Sequence, residues 1–286
     1  MKQLYKKKKK KERKKSTNHS LKIIKIIRRK RTRKMMKNNE VVNDLLGYPG
    51  LKIIQRPDMF NFSLDSTILA YYVSINKTTK KIIDLGCGNG YVPIFLSLRT
   101  KALIHGVEIQ EESFDLAKRS VELNTLTNQI TIYNGDMKEI HKTLGVAQYD
   151  IVTSNPPYFK YSDDSLVKES EYLKIARHEV KVTLDEVVHS ANVLLKDGGT
   201  FAMVHRVERL MDILEAFRNN NIEPKRLLFV YPKTSSEEAL VVFIEGKKSK
   251  KKGGLKILPP LYVYNEENKY TKEILKIFNY KEDNHA

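Results

Sequence analysis

The sequence predicts an α/β fold in which a mostly parallel sheet carries helices on both faces. Short apolar strands alternate along the chain with segments whose apolar residues recur at helical spacing. Several of these strands end in an acidic or amide side chain, which is typical of the carboxyl edge of an open parallel sheet. A short connection joins the last two long strands and indicates an antiparallel pair at one end of the sheet.

The N-terminal part of the chain is predicted to begin irregularly and then to alternate between strand and helix. Residues 41–54 predict a short helix followed by a turn or strand, because Gly47 and Pro49-Gly50 interrupt the apolar pattern. The elements predicted next are a helix at 64–72, a strand at 82–83 and a helix at 92–98.

The rest of the chain continues this alternation. Thr183 and Glu186 form the capping-box pattern that opens a helix, and Gly198 is predicted to end that helix. After the basic loop 247–254, residues 255–264 predict an extended strand that packs back on the sheet. The other predicted strands lie at 103–107, 130–133, 149–154, 200–204, 227–231 and 240–244, and the other helices at 111–124, 207–218 and 272–278.

The composition predicts one large folded domain. The chain has 286 residues, of which 41% are hydrophobic, and we predict a single domain over residues 38–286. One cysteine, Cys87, excludes disulfides and cysteine zinc sites, and no His, Asp or Glu spacing predicts a metal. No apolar stretch approaches the ~20 residues that span a bilayer. We therefore expect a cytoplasmic protein with no membrane partner and no obligate protein partner.

The positive charge is concentrated at the N-terminus. Residues 1–37 hold 19 of the 52 lysines and arginines but only one of the 34 acidic residues, Glu12, so the remainder is electrically neutral. Such a block is predicted to be disordered and to bind phosphate backbones without sequence preference. Met35 and Met36 offer the alternative that translation starts there and that the basic segment is absent from the native protein. Both interpretations stay open.

A glycine-rich turn and three carboxylates predict a ligand site at the carboxyl edge of the sheet. Asp84 opens the turn, whose glycines allow a tight path from strand to helix and a close approach to a ligand. Glu108 ends the next strand, where a carboxylate suits ribose hydroxyls, and Asp136 follows the third strand. A single carboxylate could be a helix cap, and related turns occur in nicotinamide- and flavin-binding folds. The glycines of the turn are Gly86, Gly88 and Gly90.

The turn Asn155-Pro156-Pro157-Tyr158 closes a fourth strand and predicts chemistry on an amino nitrogen. The lone pair of a base amine or a side-chain amide is delocalised, so that nitrogen is a poor nucleophile. The side-chain oxygen of Asn155 and the carbonyl of Pro156 can each accept one N–H, which favours a pyramidal nitrogen with a free lone pair. The prolines fix φ and remove backbone donors, and Tyr158 is placed to stack on a planar group. Asn-Pro-Pro by itself is also a good turn former.

Together with these motifs, further segments resemble one enzyme family. The sequence is similar to class I S-adenosylmethionine-dependent methyltransferases that act on amino nitrogens, and among them to the bacterial tRNA(Val) adenine-37 N6-methyltransferases, over residues 40–280. The loop 159–173 departs from the family pattern, which bears on substrate preference. The similar segments are 62–66 (FSLDS), 84–90 (DLGCGNG), 106–110 (GVEIQ), 155–158 (NPPY), 176–179 (ARHE), 204–206 (VHR), 224–226 (PKR) and 258–261 (LPPL).

The resemblance implies a Rossmann-like class I methyltransferase fold, with a seven-stranded, mostly parallel sheet and an antiparallel end strand. It also implies that S-adenosylmethionine binds with its ribose at Glu108, its adenine at Asp136 and its methionine part over the glycine turn that Asp84 orders. The implied substrate is the N6 of an adenine in a tRNA anticodon loop, and the catalytic residues are Asn155, Pro156 and Tyr158, with Asn155 also counted in the cofactor site. Contacts to the RNA are predicted at Phe62, Arg177, His178, His205 and Arg206.

Three other functions remain open from the sequence. Glutamine N5-methyltransferases of release factors share the Asn-Pro-Pro-Tyr turn, but they carry a folded helical domain before the cofactor domain. DNA or ribosomal RNA amino methyltransferases share the chemistry, although the DNA enzymes usually carry a separate base-reading domain. A non-enzymatic RNA-binding protein on the same fold is disfavoured, because no cofactor or catalytic position is lost.

Overall fold

The computed structural model describes residues 35–45, 48–59, 64–156 and 182–278. Several predictions concern residues outside these ranges. They are the basic segment up to residue 34, the loop 159–173, and the individual residues Phe62, Pro157, Tyr158, Arg177 and His178.

The described part alternates strands and helices as the sequence predicts. The strands are β1 (Val41–Leu45), β2 (Tyr48–Gln55), β3 (Lys81–Leu85), β4 (Leu103–Glu108), β5 (Ile130–Asn134), β6 (Tyr149–Ser154), β7 (Leu195–Arg206), β8 (Ile222–Lys233), β9 (Val241–Lys248), β10 (Lys256–Ile257) and β11 (Leu261–Tyr264). The helices are α1 (Leu64–Tyr72), α2 (Tyr91–Leu96), α3 (Glu111–Leu123), α4 (His141–Leu144), α5 (Leu184–Leu194), α6 (Leu210–Asn219) and α7 (Lys272–Phe278), with a 3-10 turn at Val207–Arg209. In the described part of the chain, no helix has the length and apolarity needed to cross a membrane.

One nine-stranded sheet forms the centre of the fold, and it confirms the predicted fold class. Its order is β5-β4-β3-β6-β7-β9-β8-β10, with β11 also paired to β8. The pairs from β5 to β7 are parallel, whereas β9 runs antiparallel to both of its neighbours. The antiparallel strand β9 therefore lies between β7 and β8, near one end of the sheet. The predicted extended segment 255–264 forms the two short strands β10 and β11, which both pair parallel with β8 beside the seven other predicted strands.

The N-terminal segment is a β-hairpin, so the prediction of a short helix within residues 41–54 is wrong. β1 and β2 pair antiparallel, with Val42 opposite Ile54. Helix α3 holds the hairpin in place, because Ser120 Oγ accepts a hydrogen bond from the backbone N–H of Ile54 at 3.0 Å. Asn124 accepts from the N–H of Lys52 at 2.8 Å and donates to its carbonyl at 2.6 Å. Tertiary contacts therefore decide the conformation of this segment.

The start of helix α5 is as predicted, but its end is not. Thr183 Oγ1 accepts from the N–H of Glu186 at 3.2 Å, and the Glu186 carboxylate accepts from the N–H of Thr183 at 2.8 Å, which completes the capping box. The helix ends at Leu194, before the predicted stop at Gly198, because β7 begins at once. Gly198, with φ 74°, lies in the stretch of β7 where the pairing with β6 shifts register.

Two apolar cores cover the two faces of the sheet. Alternate residues of β3 serve both, since Ile82 belongs to the core on the α1–α2 side and Ile83 to the core on the α5–α6 side. The largest buried rings include Phe95 and Phe243 on the first side and Phe201 on the second. With both faces covered, the carboxyl ends of the parallel strands are the part of the sheet left to build a site.

Candidate active site

The predicted cofactor residues and the described catalytic residues Asn155 and Pro156 come together at the carboxyl edge of the sheet. Asp84 on β3 lies opposite Gly106 of β4 on one side and Thr153 of β6 on the other. Glu108 at the end of β4 lies opposite Asn134 of β5. Because these strands are parallel, their C-terminal residues, and Asn155 just beyond β6, share one edge.

The glycine turn connects β3 to α2 in a conformation that requires glycine. Gly86, Gly88 and Gly90 have φ of 70°, 54° and 87°, all in the left-handed region. The backbone N–H groups of Gly86 and Cys87 both donate to the carbonyl of Val107 at 2.9 Å, which ties the turn to β4. A Cβ on Gly90 would lie 3.2 Å from the Ala117 Cβ, so α3 also packs closely against the turn.

Glu108 is a buried carboxylate held by backbone donors. It is only 8% exposed, and its Oε2 and Oε1 accept from the N–H groups of Gly88 and Gln110, each at 2.9 Å. Burial raises the pKa of Glu108, and these N–H groups offset part of that effect. A carboxylate has about four acceptor positions, so each oxygen retains capacity for a ligand hydroxyl.

Asp84 is buried more deeply, and it titrates near neutrality. It is 2% exposed, and its Oδ1 accepts from Thr153 Oγ1 at 2.7 Å. Burial raises the pKa of Asp84 to about 7; the Thr153 hydroxyl acts against this shift and the charge of Glu108 adds to it. A positively charged ligand group nearby would favour the ionised form. Thr153 was not predicted as a site residue, because only the pairing of β3 with β6 reveals its position.

Asp136 lies at the rim, where it shapes the turn after β5. Its Oδ1 accepts from the backbone N–H of Lys138 at 2.9 Å. The Lys138 ammonium lies 3.8 Å from Asp136 and 3.5 Å from Glu186, and the Asp136 side chain is 31% exposed. The predicted contact of Asp136 with the cofactor adenine stays a prediction.

Asn155 is oriented by a serine from another element. Its Nδ2 donates to Ser66 Oγ at 2.9 Å, and Ser66 lies in the first turn of α1. The next residue, Pro156, is buried. Ser66 was not predicted as a site residue, although the signal existed in the segment 62–66 that carries the family resemblance.

Asn89 offers an independent indication that the turn binds a ligand. The residue is 7% exposed, and its Nδ2 has no hydrogen-bond partner in the described part of the chain. An unpaired buried amide is costly, which favours an acceptor supplied by a ligand. The residues of this edge therefore fit S-adenosylmethionine, which offers hydroxyls to Glu108, a cationic amino group to Asp84 and acceptor atoms to Asn89.

The two residues predicted at the end of β7 have different environments. His205 is 3% exposed, and its Nδ1 accepts from the N–H of Arg206 at 2.8 Å. Burial lowers the pKa of His205 to about 4, and the charge of Arg209 acts in the same direction. Its environment favours a role in shaping the strand end, and direct contact with RNA stays a prediction. Arg206 is half-buried and lines a cleft.

The fold and this edge define a class I methyltransferase, an enzyme whose methyl donor is S-adenosylmethionine. A predicted O-methyltransferase from Agrobacterium tumefaciens has a similar fold, with a TM-score of 0.60 at 20% identity over 75% of this chain and 95% of that one. The family model "Methyltransferase small domain" matches residues 50–223, and the chain belongs to that family. The family resemblance seen in the sequence is thus confirmed.

Three relatives carry the name tRNA1(Val) (adenine(37)-N6)-methyltransferase. The protein from Parabacteroides distasonis is 26% identical over 59% of this chain and 69% of its own length. The one from Flavobacterium psychrophilum is 24% identical over 71% and 86%, and the one from Trichodesmium erythraeum is 28% identical over 71% and 85%. These similarities extend over most of each relative.

Proposed function

We propose that this methyltransferase transfers a methyl group to the N6 of adenine 37 in the anticodon loop of tRNA(Val). The observation that carries the proposal is the position of Asn155, at the end of β6 and beside the cofactor edge, with its amide held by Ser66. The names of the relatives from P. distasonis and F. psychrophilum support the substrate. A cytoplasmic location follows from a tRNA substrate.

In this proposal Glu108, Asp84, Asp136 and the glycine turn hold the cofactor. S-adenosylmethionine, when bound, supplies an electrophilic methyl group on a positively charged sulfur. Asn155 Oδ1 and the Pro156 carbonyl each accept one N–H of the adenine amine, so the nitrogen lone pair is freed for the new N–C bond. As the N–C bond forms, the bond from the methyl group to sulfur would break and leave a neutral thioether. The amine would lose one proton to solvent, so the chain would need no strong base. Orientation of the amine supplies most of the rate.

The adenine has to leave its stack before it reaches Asn155. Unstacking costs a few kcal/mol and is least costly in a single-stranded loop such as the anticodon loop. Tyr158, which lies outside the described residues, is predicted to return ~1–3 kcal/mol by stacking on the base. Loop adenines are accordingly better substrates than adenines in a duplex.

Labelled methyl transfer to under-modified total RNA tests the proposal. Genomic DNA and a release factor are offered in parallel, and nucleoside mass analysis identifies the product. We expect N6-methyladenosine in the tRNA fraction. Asn155→Ala should lose turnover, whereas Asn219→Ala, which alters an exposed asparagine at the end of α6, should keep the turnover of the unsubstituted enzyme. Label in DNA or in the release factor, with unlabelled tRNA, would overturn the substrate assignment and leave chemistry on an amino nitrogen intact.

A further inference from the structure

A cleft of about 450 Å³ lies at the carboxyl edge of the sheet, beyond the catalytic strand. Its walls come from the end of β7, the end of β8 and the segment before β9, and include Arg206, Phe229, Tyr231 and Leu240. β7 is the neighbour of β6, and β8 is three strands away from it. At ~4.8 Å between strands, the cleft extends about 5–14 Å from the strand that ends at Asn155.

We propose that this cleft binds the base of a nucleotide adjacent to the target adenine. The inference rests on the proposed function and adds a second, specificity-determining subsite to it. When the target adenine leaves its stack, the neighbouring base loses a stacking partner, and an aromatic side chain of the protein replaces that partner.

Aromatic rings supply the stacking surface. Phe229 and Tyr231 are two residues apart on β8 and therefore face the same side of the sheet. Tyr231 is paired in register with Tyr262 of β11, and their ring centroids are 5.2 Å apart. Both Phe229 and Tyr231 are half-buried and line the cleft, so their exposed ring surface is available to a planar ligand.

The charges of the cleft favour a base over a phosphate. Among the described residues that line the cleft, Arg206 is the one cation. Its guanidinium makes no hydrogen bond or ion pair to any residue that the structure describes. Two exposed carboxylates, Glu208 and Glu238, share the rim and would repel a phosphate. A carboxylate accepts well from a base amine, while an arginine donates to base acceptors. The occupant is therefore a base with an exocyclic amine: adenine, cytosine or guanine.

The test uses a short RNA stem-loop that carries the target adenine, with an abasic nucleotide placed at each loop position in turn. We expect one position next to the adenine at which base removal raises KM about 5- to 100-fold for the unsubstituted enzyme. Tyr231→Leu should raise KM by a similar factor on intact RNA. When Tyr231→Leu acts on the abasic RNA, KM should rise no further than with the larger of the two changes alone. kcat and the affinity for S-adenosylmethionine should not change.

Matched variants control for folding and charge. Tyr71→Leu, which removes a half-buried tyrosine from α1, is the control for Tyr231→Leu. Arg218→Ala, which removes an exposed arginine at the far end of α6, is the control for Arg206→Ala. Phe229→Leu serves as a second variant if Tyr231→Leu melts early by circular dichroism. The proposal would be overturned if the increases in KM from Tyr231→Leu and from base removal multiplied when the two were combined. It would also be overturned if Tyr231→Leu behaved like Tyr71→Leu.

The preference for an amino base has its own readout. The unsubstituted enzyme should prefer cytosine to uracil at that position, and a Glu208→Gln/Glu238→Gln double variant should lose the preference, while Glu215→Gln, on the exposed side of α6, keeps it. 2-Aminopurine at the same position reports binding without turnover and should be quenched on binding. If no RNA is methylated, the proposed function fails, and absence of quenching then overturns the subsite as well.

Discussion

Asn155 at the end of β6 and Ser66 in the first turn of α1 are joined by a hydrogen bond of 2.9 Å between Nδ2 and Oγ. The bond fixes the plane of the amide and with it the direction in which Oδ1 accepts. Under the proposed function, helix α1 thereby helps to orient the amide that receives the target amine.

Removal of the Ser66 hydroxyl should slow turnover specifically. A hydrogen bond of this kind contributes ~1–1.5 kcal/mol, so we expect Ser66→Ala to lower kcat about tenfold, with the Kd for S-adenosylmethionine nearly unchanged. Ser190→Ala is the matched control, since among the described residues that buried serine bonds only the carbonyl of Glu186 within α5. Steady-state kinetics and calorimetry measure the two quantities. A higher Kd for S-adenosylmethionine together with an unchanged kcat would contradict this role of Ser66.

The raised pKa of Asp84 predicts a characteristic pH dependence of stability. The carboxyl titrates near 3.8 when exposed and at about 7 in the folded protein, so the native state binds the extra proton between those values. The free energy of unfolding therefore falls as pH rises through that window, by up to ~4 kcal/mol, and levels off above it. Urea unfolding followed by circular dichroism should show a flatter curve for Asp84→Asn between about pH 4 and 7.

The control for this experiment is Asp197→Asn, which alters an exposed carboxyl on β7 and should leave the curve unchanged. Calorimetry in buffers of different ionisation enthalpy adds a second measurement. Binding of S-adenosylmethionine below neutral pH should release protons from the unsubstituted enzyme and fewer from Asp84→Asn. Equal proton release by the two proteins would show that Asp84 does not ionise on binding.

A side chain at Gly106 on β4 should destabilise the folded protein, because the glycine turn packs against this residue. A Cβ there would lie 2.8 Å from both Cys87 Sγ and Ile132 Cδ1. We expect Gly106→Ala to cost ~1–3 kcal/mol and to lower Tm by several degrees. Adding Cys87→Ala should recover part of the loss, since it removes one of the two contacts. Gly135→Ala is the comparison. Of the described atoms its Cβ would meet only Ile140 Cδ1, at 3.7 Å, so the Tm of this variant should hardly change.

The pair of Arg119 and Glu40 should be the main anchor of the chain before β1. Arg119 binds both carboxylate oxygens of Glu40, at 2.7 and 2.6 Å, and the Glu40 side chain is 2% exposed. We expect Glu40→Ala to cost ~2–3 kcal/mol at neutral pH, because Asp115 would then be the one acidic partner of Arg119 in the described part of the chain. Glu122→Ala on the same helix is the control.

The effect of Glu40 should depend on pH in the opposite sense to that of Asp84. Burial acts to raise the pKa of Glu40, but the hydrogen bonds from Arg119 and Lys37 outweigh it, and the pKa is lowered. Its contribution is therefore complete above the unfolded pKa and is lost as pH falls through the folded one. Urea unfolding curves of Glu40→Ala and the unsubstituted protein should converge in acid. A constant difference would mean that the ion pair is not the cause.

The sequence predicts the sheet and its edge because those features depend on local patterns. Apolar strands, the glycine spacing and the capping box of α5 each reflect neighbours in the chain. The contacts that orient the site do not: Asn155 meets Ser66 across 89 residues and Thr153 meets Asp84 across 69. Such pairs exist only once the elements have packed together. The segment 62–66 marks Ser66 as part of a family motif but does not reveal its partner.

The N-terminal hairpin shows the same limit on a larger scale. Its residues have no decisive local preference, and the conformation is settled by Ser120 and Asn124 of α3. His205 of β7 shows a different limit, because the sequence motif marks the residue but does not reveal that its side chain is buried. The sequence thus marks candidate residues along this edge of the sheet, whereas the partners that orient their side chains emerge only in the fold.

The antiparallel strand β9 has a consequence for what can fold alone. It covers β7 from Thr200 to Arg206, residue for residue. The family match ends at residue 223, so a fragment cut at its limits would lose β9 and nearly all of β8. The long inner strand β7 would then become an open edge, with unpaired N–H and C=O groups that invite pairing with another copy. The stretch that the family model matches is therefore shorter than the sheet that protects β7.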